Sequence, residues 1–361
     1  MFSVDPDITK ASTLHSDFYS KEEFFSASKD RIFSRTWQFI TDAEQVRVGG
    51  QCIPFSFMPG FLEEPMLLVR DKDDSLSCIS NVCTHRGNII VENPCIENHL
   101  RCRYHGRRFK LNGKFESMPE FEGVEGFPSE KDDLEKVPFA RWEKLLFTSV
   151  KPAMKLEELL GDMQKRLSFL PLNEFKADPV RSRDYIVKAH WALYCENYLE
   201  GFHIPYIHAS LNNAIDYNTY STELYKYSSL QLALAKGSEL CFDIPKDHPD
   251  HGKKVAAYYY WVFPNMMFNF YPWGLSINVI RPLKPDLTKV SFLTYVYDES
   301  KLDQGAGNLL DKVEREDEAI VENVQKGIKS SFYTSGRYSP KRETGTHHFH
   351  RLICEFMGSK R

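Results

Sequence analysis

Two short Cys/His pairs constrain this chain more than any other feature of its 361 residues. Cys83-Thr-His85 and Cys102-Arg-Tyr-His105 are separated by sixteen residues, and each pair is compact enough to occupy the tip of one β-hairpin loop. Four soft or borderline ligands therefore converge, and the fold around them has to hold two loops face to face. A lone Cys-x-His reads as a buried thiol beside an ordinary imidazole. With both halves present, each followed closely by a glycine (Gly87 and Gly106), a metal site is the better explanation. The donor set admits two occupants: a tetrahedral zinc held by two Cys and two His, or a 2Fe-2S cluster with two Cys on one iron and two His on the other. Spacing alone does not choose between them.

The texture around these pairs is β-rich. Short runs at 51–57, 65–69, 76–81 and 145–150, punctuated by Gly49-Gly50, Pro59-Gly60, Asp73-Asp74 and Asn112-Gly113, predict a small all-β domain over 39–152. Residues 19–38 carry Phe24, Phe25, Ile32 and Phe33 at helical spacing, with Ser20 and Glu23 as a capping box, so 1–38 reads as an N-terminal helical segment. Beyond Lys151-Pro152 the pattern mixes. A helical stretch at 156–169, an alternating run at 185–192, a helical patch near 193–209, aromatic strands at 255–281 and 288–298, and a helix near 308–330 give an α+β domain over 153–361, an antiparallel sheet covered by helices.

That larger domain holds a second constellation. Residues 194–208, YCENYLEGFHIPYIH, place His203 and His208 five apart with Pro205 between them. On a straight helix five residues rotate by about 140°, so Pro205 is expected to break the helix and turn both imidazoles toward one metal. Periodicity supplies a third ligand. In the helix 309–328, the apolar positions Val313, Ile320, Val321, Val324 and Ile328 all lie within about 60° of Asp317. Asp317 then points from the buried face, while Glu314, Glu316, Glu318 and Glu322 fall to its sides as a solvated charge run. A carboxylate on an apolar stripe is costly unless it is paired or bound to metal. Two His and one carboxylate with open positions describe the facial triad of a mononuclear Fe(II) site.

CTHRG followed by CRYHG resembles the Rieske signature. Together with Asn197, Glu200, His203 and His208 in the pattern N-x-x-(D/E)-x-x-H-x₄-H and Asp317 downstream, the chain resembles the large (alpha) subunit of Rieske non-haem iron oxygenases over nearly its whole length. The resemblance implies a 2Fe-2S cluster on Cys83, His85, Cys102 and His105, and Fe(II) on His203, His208 and Asp317. It also implies a head-to-tail homotrimer in which Glu200, with Asn197 the remaining catalytic-site candidate, bridges a cluster His of one subunit and an iron His of the next. Glu200 stands where Asp is commoner. The family usually carries an aromatic directly after the second His-Gly, where this chain has Arg107. With Arg101, Arg103, Arg108, Lys110 and Lys114, Arg107 is expected to form a basic rim around the cluster loop.

Residues 194–208 and the stretches MMFNFYPWGLSINVIRPL, VEREDEAIVENVQKG and SGRYSPKRETGTHHFHRLI resemble the choline monooxygenase-like branch, which includes glycine betaine and carnitine oxygenases. That implies a terminal oxygenase hydroxylating a C–H bond next to a quaternary or tertiary amine nitrogen. Quaternary ammonium ions bind over aromatic faces at about 0.5–2 kcal/mol per contact. Candidates are Phe202, Tyr206, the run Tyr258 to Trp261, Phe263, Phe268, Phe270, Tyr271 and Trp273. On a strand through 268–273, Phe268 and Phe270 share one face while Asn269, Tyr271 and Trp273 share the other, so one set alone lines a pocket. A flat aromatic substrate would suit such a lining too, which makes ring hydroxylation the second reading. A zinc- or cluster-bearing binding protein is the rival without enzymatic activity.

No GxGxxG on a strand–turn–helix is visible, so electrons are expected from a separate NAD(P)H-dependent flavin/iron-sulfur reductase. With Lys+Arg 46 against Asp+Glu 50, a net charge of −4 argues against nucleic acid as a partner. No apolar run approaches the ~20 residues of a membrane span. The start MFSVDPDITK lacks an apolar targeting core, and eight scattered cysteines suggest a reducing compartment, so cytoplasm is the expected location.

Overall fold

Apolar alternation breaks down in the central strands of the larger domain because both faces of its sheet are covered. In a computed structural model, which describes residues 2–305 and 310–358, the chain divides into two compact units. One is Ser34–Ala153; the other joins the residues up to Phe33 with those from Met154 onward. The larger unit holds a seven-stranded sheet, antiparallel throughout. Its spatial order is Lys176–Val187, Leu287–Val296, Gly274–Lys284, Met266–Tyr271, Val255–Val262, Ser228–Leu234, Ser221–Leu224. Every residue of Val255–Val262 and Met266–Tyr271 is buried, hence their continuous apolar pattern.

The helix Trp191–Tyr198 packs on the helix Leu310–Ile328 and against the strand Gly274–Lys284. His190 starts it, its Nδ1 accepting from the Ala192 N–H at 3.3 Å. The alternating run expected to reach 192 therefore ends as a strand at Val187. For the helix expected from 308, positions 308 and 309 lie outside the described residues. No described helix is long and apolar enough to cross a membrane.

The N-terminal stretch is two helices, Asp17–Ser20 and Glu22–Arg31, and a turn at Phe33–Arg35, where one helix was expected. Ser20 does not cap. It closes the first short helix, donating its hydroxyl to the Ser16 carbonyl at 3.0 Å, and Lys21 precedes the second helix without a side-chain cap. Phe18, Tyr19 and Phe25 pack edge-on around the His190 ring at 5.2, 5.6 and 6.1 Å, which ties this stretch to the larger unit.

The smaller unit is built of short antiparallel sheets. One has the order Leu76–Ser80, Glu64–Arg70, Gln51–Phe57, Cys95–Ile96; a second is Gln38–Asp42, Leu145–Thr148, Phe139–Trp142; a third is Leu100–Arg101, Arg108–Phe109, Phe115–Ser117. Cys83 and Cys102 are part of its buried core, beside Cys52, Leu67, Val69, Ile79 and Phe109.

Candidate active site

The two Cys/His loops of the smaller unit have the same backbone. Cys83 N–H donates to the Asn88 carbonyl at 2.8 Å and Gly87 N–H to the Cys83 carbonyl at 3.0 Å; Cys102 N–H donates to Arg107 at 2.8 Å and Gly106 N–H to Cys102 at 3.0 Å. Closing each loop this tightly requires a left-handed residue after the His, and Gly87 and Gly106 supply it at φ +72° and +76°. Burial, and with it the neighbouring Cys102, pushes the Cys83 thiol up, and the His85 and His105 rings stand 4.8 Å apart. Sulfur thus pairs with sulfur and imidazole with imidazole, the division a cluster with a thiolate iron and an imidazole iron needs. A single zinc needs all four donors about one point. Among the described residues, only His203, His208 and Asp317 bring three ligand atoms within 4.8 Å of one another. Burial, then His105 and Arg107, hold the His85 imidazole below its ordinary range, which keeps a ring lone pair free for a metal.

Arg107 is not part of a basic rim. It is 2% exposed, with its guanidinium 5.0 Å from the Phe115 ring centre, 5.4 Å from Phe127 and 5.7 Å from Phe109. It donates to the Asp132 carboxylate at 2.6 Å and to the Asp132 carbonyl at 3.2 Å. That same carbonyl accepts from Thr84 Oγ1 at 2.8 Å, so Asp132 clips one ligand loop to the other. A lone sequence position cannot reveal this, because the three aromatic rings come from separate strands and turns. Arg101, Arg103, Lys110 and Lys114 remain exposed.

In the larger unit, His203, His208 and Asp317 meet. His208 Nε2 is 3.0 Å and His203 Nε2 3.6 Å from Asp317 Oδ1, with the imidazoles 5.1 Å apart. Pro205 does not break a helix here; it sits in the first turn of the four-residue helix Ile204–Ile207, where its missing N–H costs nothing. The two His residues flank that helix, which turns them inward. Asn197 Nδ2 donates to Asp317 Oδ1 at 2.6 Å. Glu200 Oε1 lies 2.7 Å from His203 Nδ1, while its Oε2 accepts from the backbone N–H groups of Phe202 and His203.

Glu316 was expected in the solvated run, yet its Oε2 lies 2.8 Å from His208 Nδ1. Each imidazole therefore has a carboxylate at Nδ1 and turns Nε2 toward Asp317, the outer-shell orientation that metal-ligating histidines adopt. Burial pulls the His208 imidazole down, but Asp317 and Glu316 outweigh it and leave it raised. Three carboxylates around two imidazoles want a cation, and an iron fits.

The helix Leu310–Ile328 is also phased differently from the expectation. Glu314, Val321, Gln325 and Ile328 are buried, at 5%, 2%, 3% and 7% exposure, while Ile320 and Val324 are exposed at 37% and 43%. Asp317 thus lies near the edge of the buried face. Glu314 tolerates its burial because the Tyr194 hydroxyl donates to its carboxyl at 2.5–2.6 Å, and burial raises its acid well above the usual range.

The triad opens into a cavity. One cross-strand row, Gln231, Tyr259, Asn269 and Ser276 in register, forms a wall, with Tyr198, Tyr220, Tyr271 and Phe292 around it. Of the two alternating sets, Asn269 and Tyr271 face the cavity and Phe268 and Phe270 do not. Tyr259 and Tyr271 are the only expected aromatics that line it; Phe202 and Tyr206 are exposed at 41% and 81%, and Trp273 stacks 5.1 Å behind Tyr271. Tyr194, Tyr198, Tyr220 and Phe292 were missed, since only the packing of the helix Trp191–Tyr198 and of the turn before Ser221 on the sheet brings them there.

Residues 174–359 match the family described as ring hydroxylating alpha subunit (catalytic domain), and residues 36–128 match the Rieske 2Fe-2S domain. A chloroplastic choline monooxygenase of Arabidopsis thaliana is 30% identical over 369 residues, covering 97% of this chain and 84% of that relative. The carnitine monooxygenase oxygenase subunit of Escherichia coli (strain K12) is 27% identical over 371 residues, covering 98% and 96%. Among solved structures, a quaternary ammonium Rieske monooxygenase aligns with a TM-score of 0.78 at 21% identity over 99% of this chain and 100% of that one. Naphthalene 1,2-dioxygenase from Rhodococcus sp. aligns with a TM-score of 0.72 at 17% identity over 96% and 94%. At these identities the structural likeness is one of fold. The two matched domains and the full-length relatives leave one assignment: the chain belongs to the Rieske non-haem iron oxygenases, as an alpha subunit with a 2Fe-2S domain and a mononuclear non-haem iron catalytic domain.

Proposed function

We propose that this chain is the terminal monooxygenase for a small quaternary or tertiary amine, hydroxylating a carbon next to the nitrogen. The observation that carries the reading is the cavity itself: His203, His208 and Asp317 open onto walls made of Tyr198, Tyr220, Tyr259 and Tyr271. Aromatic faces attract an ammonium ion, and the curated relatives are named for choline and carnitine. Fe(II) on His203, His208 and Asp317 supplies O₂ activation, and a 2Fe-2S cluster on Cys83, His85, Cys102 and His105 supplies single electrons. Around that chemistry, Glu200 and Glu316 hold the two Nδ1–H groups, Asn197 holds Asp317 Oδ1, and the tyrosines orient the substrate nitrogen. Hydroxylation of an N-methyl carbon gives a carbinolamine that splits into formaldehyde and the free amine.

The electrons come from a separate NAD(P)H-dependent reductase. We further propose a head-to-tail homotrimer in which Glu200 of one subunit meets a cluster histidine of its neighbour. Supporting this, Glu200 sits on His203 Nδ1 beside the exposed Phe202 and Tyr206, and Tyr104 between the second Cys and His is 56% exposed. The test is NAD(P)H-dependent formaldehyde release from a panel of methylated amines with a surrogate reductase, alongside an iron count of about three per chain. Release from aromatic hydrocarbons as cis-diols, with none from amines, would replace this reading by ring hydroxylation.

A further inference from the structure

Arg107 puts a buried cation beside the two cluster loops. Its backbone closes one of them, the Arg107 carbonyl accepting from the Cys102 N–H at 2.8 Å. Its guanidinium is shut away from water with one carboxylate, Asp132, for a counterion, and its Nε has no hydrogen-bond partner among the described residues. Aromatic rings link that charge to the ligands. The guanidinium lies 5.4 Å from the Phe127 ring centre, Phe127 is 4.8 Å from Phe121, and Phe121 meets the His85 ring edge-on at 5.5 Å. Across such a medium a charge is screened far less than across water.

Asp132 does not cancel this charge. Its side chain is 19% exposed against 2% for Arg107, so water screens the anion more than the cation. Its Oδ2 also accepts from the Ser129 N–H at 2.8 Å and the Ser129 hydroxyl at 3.0 Å, two dipoles that offset part of the negative charge. What reaches the ligands is positive. At Cys83 the guanidinium opposes the burial that raises the thiol, and at His85 it adds to burial and His105 in holding the imidazole down. Arg86, the other cation beside His85, is exposed and screened by solvent. The charge that this field acts on follows from the ligand set given above: two ferric ions, two sulfides and two thiolates, with neutral imidazoles, sum to zero, and one added electron makes the reduced cluster negative. A buried cation favours that form.

Resting on that ligand set, we propose that Arg107 raises the reduction potential of the cluster, its buried guanidinium stabilising the added electron while Asp132 trims the effect. The test is a potentiometric titration of the cluster-bearing chain at one fixed pH, followed by the Rieske EPR signal. Arg107→Leu is expected to lower the equilibrium constant for reduction about tenfold, which for one electron is about 59 mV. Arg107→Lys keeps the charge and is expected to stay within about threefold of wild type. Asp132→Asn, whose amide oxygen still accepts from Arg107 and Ser129, is expected to raise the constant about threefold, because the cation then stands without its counterion. A purely structural pair would lose cluster without moving the potential of the clusters that remain. An unchanged potential in Arg107→Leu, or an equal fall in Arg107→Leu and Arg107→Lys, therefore overturns the proposal. If Arg107→Leu holds no cluster, an unchanged or lowered potential in Asp132→Asn does the same. Failure of the ligand set has its own signature, a Rieske signal that survives in Cys83→Ala, and it takes the proposal with it.

Discussion

Glu316→Ala is expected to loosen the mononuclear iron by about 10- to 30-fold. The carboxylate makes a 2.8 Å bond to Nδ1 of His208, whose side chain is 1% exposed while that of Glu316 is 26% exposed. A hydrogen bond to a charged group contributes about 1.5–3 kcal/mol, and about 1.4 kcal/mol is a factor of ten. Glu316 is partly screened, so the lower half of that range applies, within the ~10- to 100-fold that such outer-shell partners carry. Once the bond is gone, the imidazole is free to rotate or to take the other tautomer, and Nε2 no longer faces Asp317. Glu318→Ala is the control, because the four histidine ring nitrogens are already met by Glu200, Glu316 and Asp317. The assay is chelator competition for Fe(II), with the 2Fe-2S EPR signal confirming an intact smaller domain. An Fe(II) dissociation constant within about twofold of wild type in Glu316→Ala, or an equal shift in Glu318→Ala, refutes the assignment.

The two metal sites lie in separate units, so their losses are expected to be independent. Cys83→Ala abolishes the Rieske EPR signal while mononuclear Fe(II) still loads, and Asp317→Ala does the reverse and stops turnover; metal analysis and EPR on both variants check this. Glu200→Gln is expected to load both metals yet stall after the first turnover when reductase is supplied, which rapid-quench product counting reads; wild-type steady-state rates would show that electron transfer does not depend on this carboxylate. Burial holds the His190 imidazole down at about 3. Its unfolded value is near 6.5, so its stabilisation is complete above pH ~6.5 and is lost as pH falls from there toward ~3, at up to about 1.4 kcal/mol per pH unit. His190→Asn, which can still cap the helix, should flatten the melting-temperature profile between pH 6.5 and 5, and an unchanged slope would count against a neutral buried imidazole.

The candidate metal ligands were legible because their information is local. Two compact Cys/His pairs, two histidines five apart and one acid on a helix are spacings, and spacing survives in a bare sequence. The side chains that act on those ligands were not local. Glu316 is adjacent to Asp317 on the chain but projects about 100° away from it, and only the position of His208 makes that direction useful. Ile320 and Val324 misled the helix phase, since apolar residues are free to sit on a surface while Glu314 and Gln325 are drawn inside by Tyr194 and the His190 backbone. Gln231, Tyr259, Asn269 and Ser276 come from four strands, and nothing in the order of residues states which ones stand abreast. Arg107 was read by its charge; three rings and Asp132 decide its place instead.

The cluster loops are held by their backbone as well as by whatever their ligand atoms bind. Each is closed by two main-chain hydrogen bonds and a left-handed glycine, and the clip through Asp132 joins them without calling on any ligand atom. A single residue outside both loops thus reaches the two halves of the ligand set at once, so a substitution at Asp132 is felt by the Cys83–His85 loop through Thr84 and by the Cys102–His105 loop through Arg107.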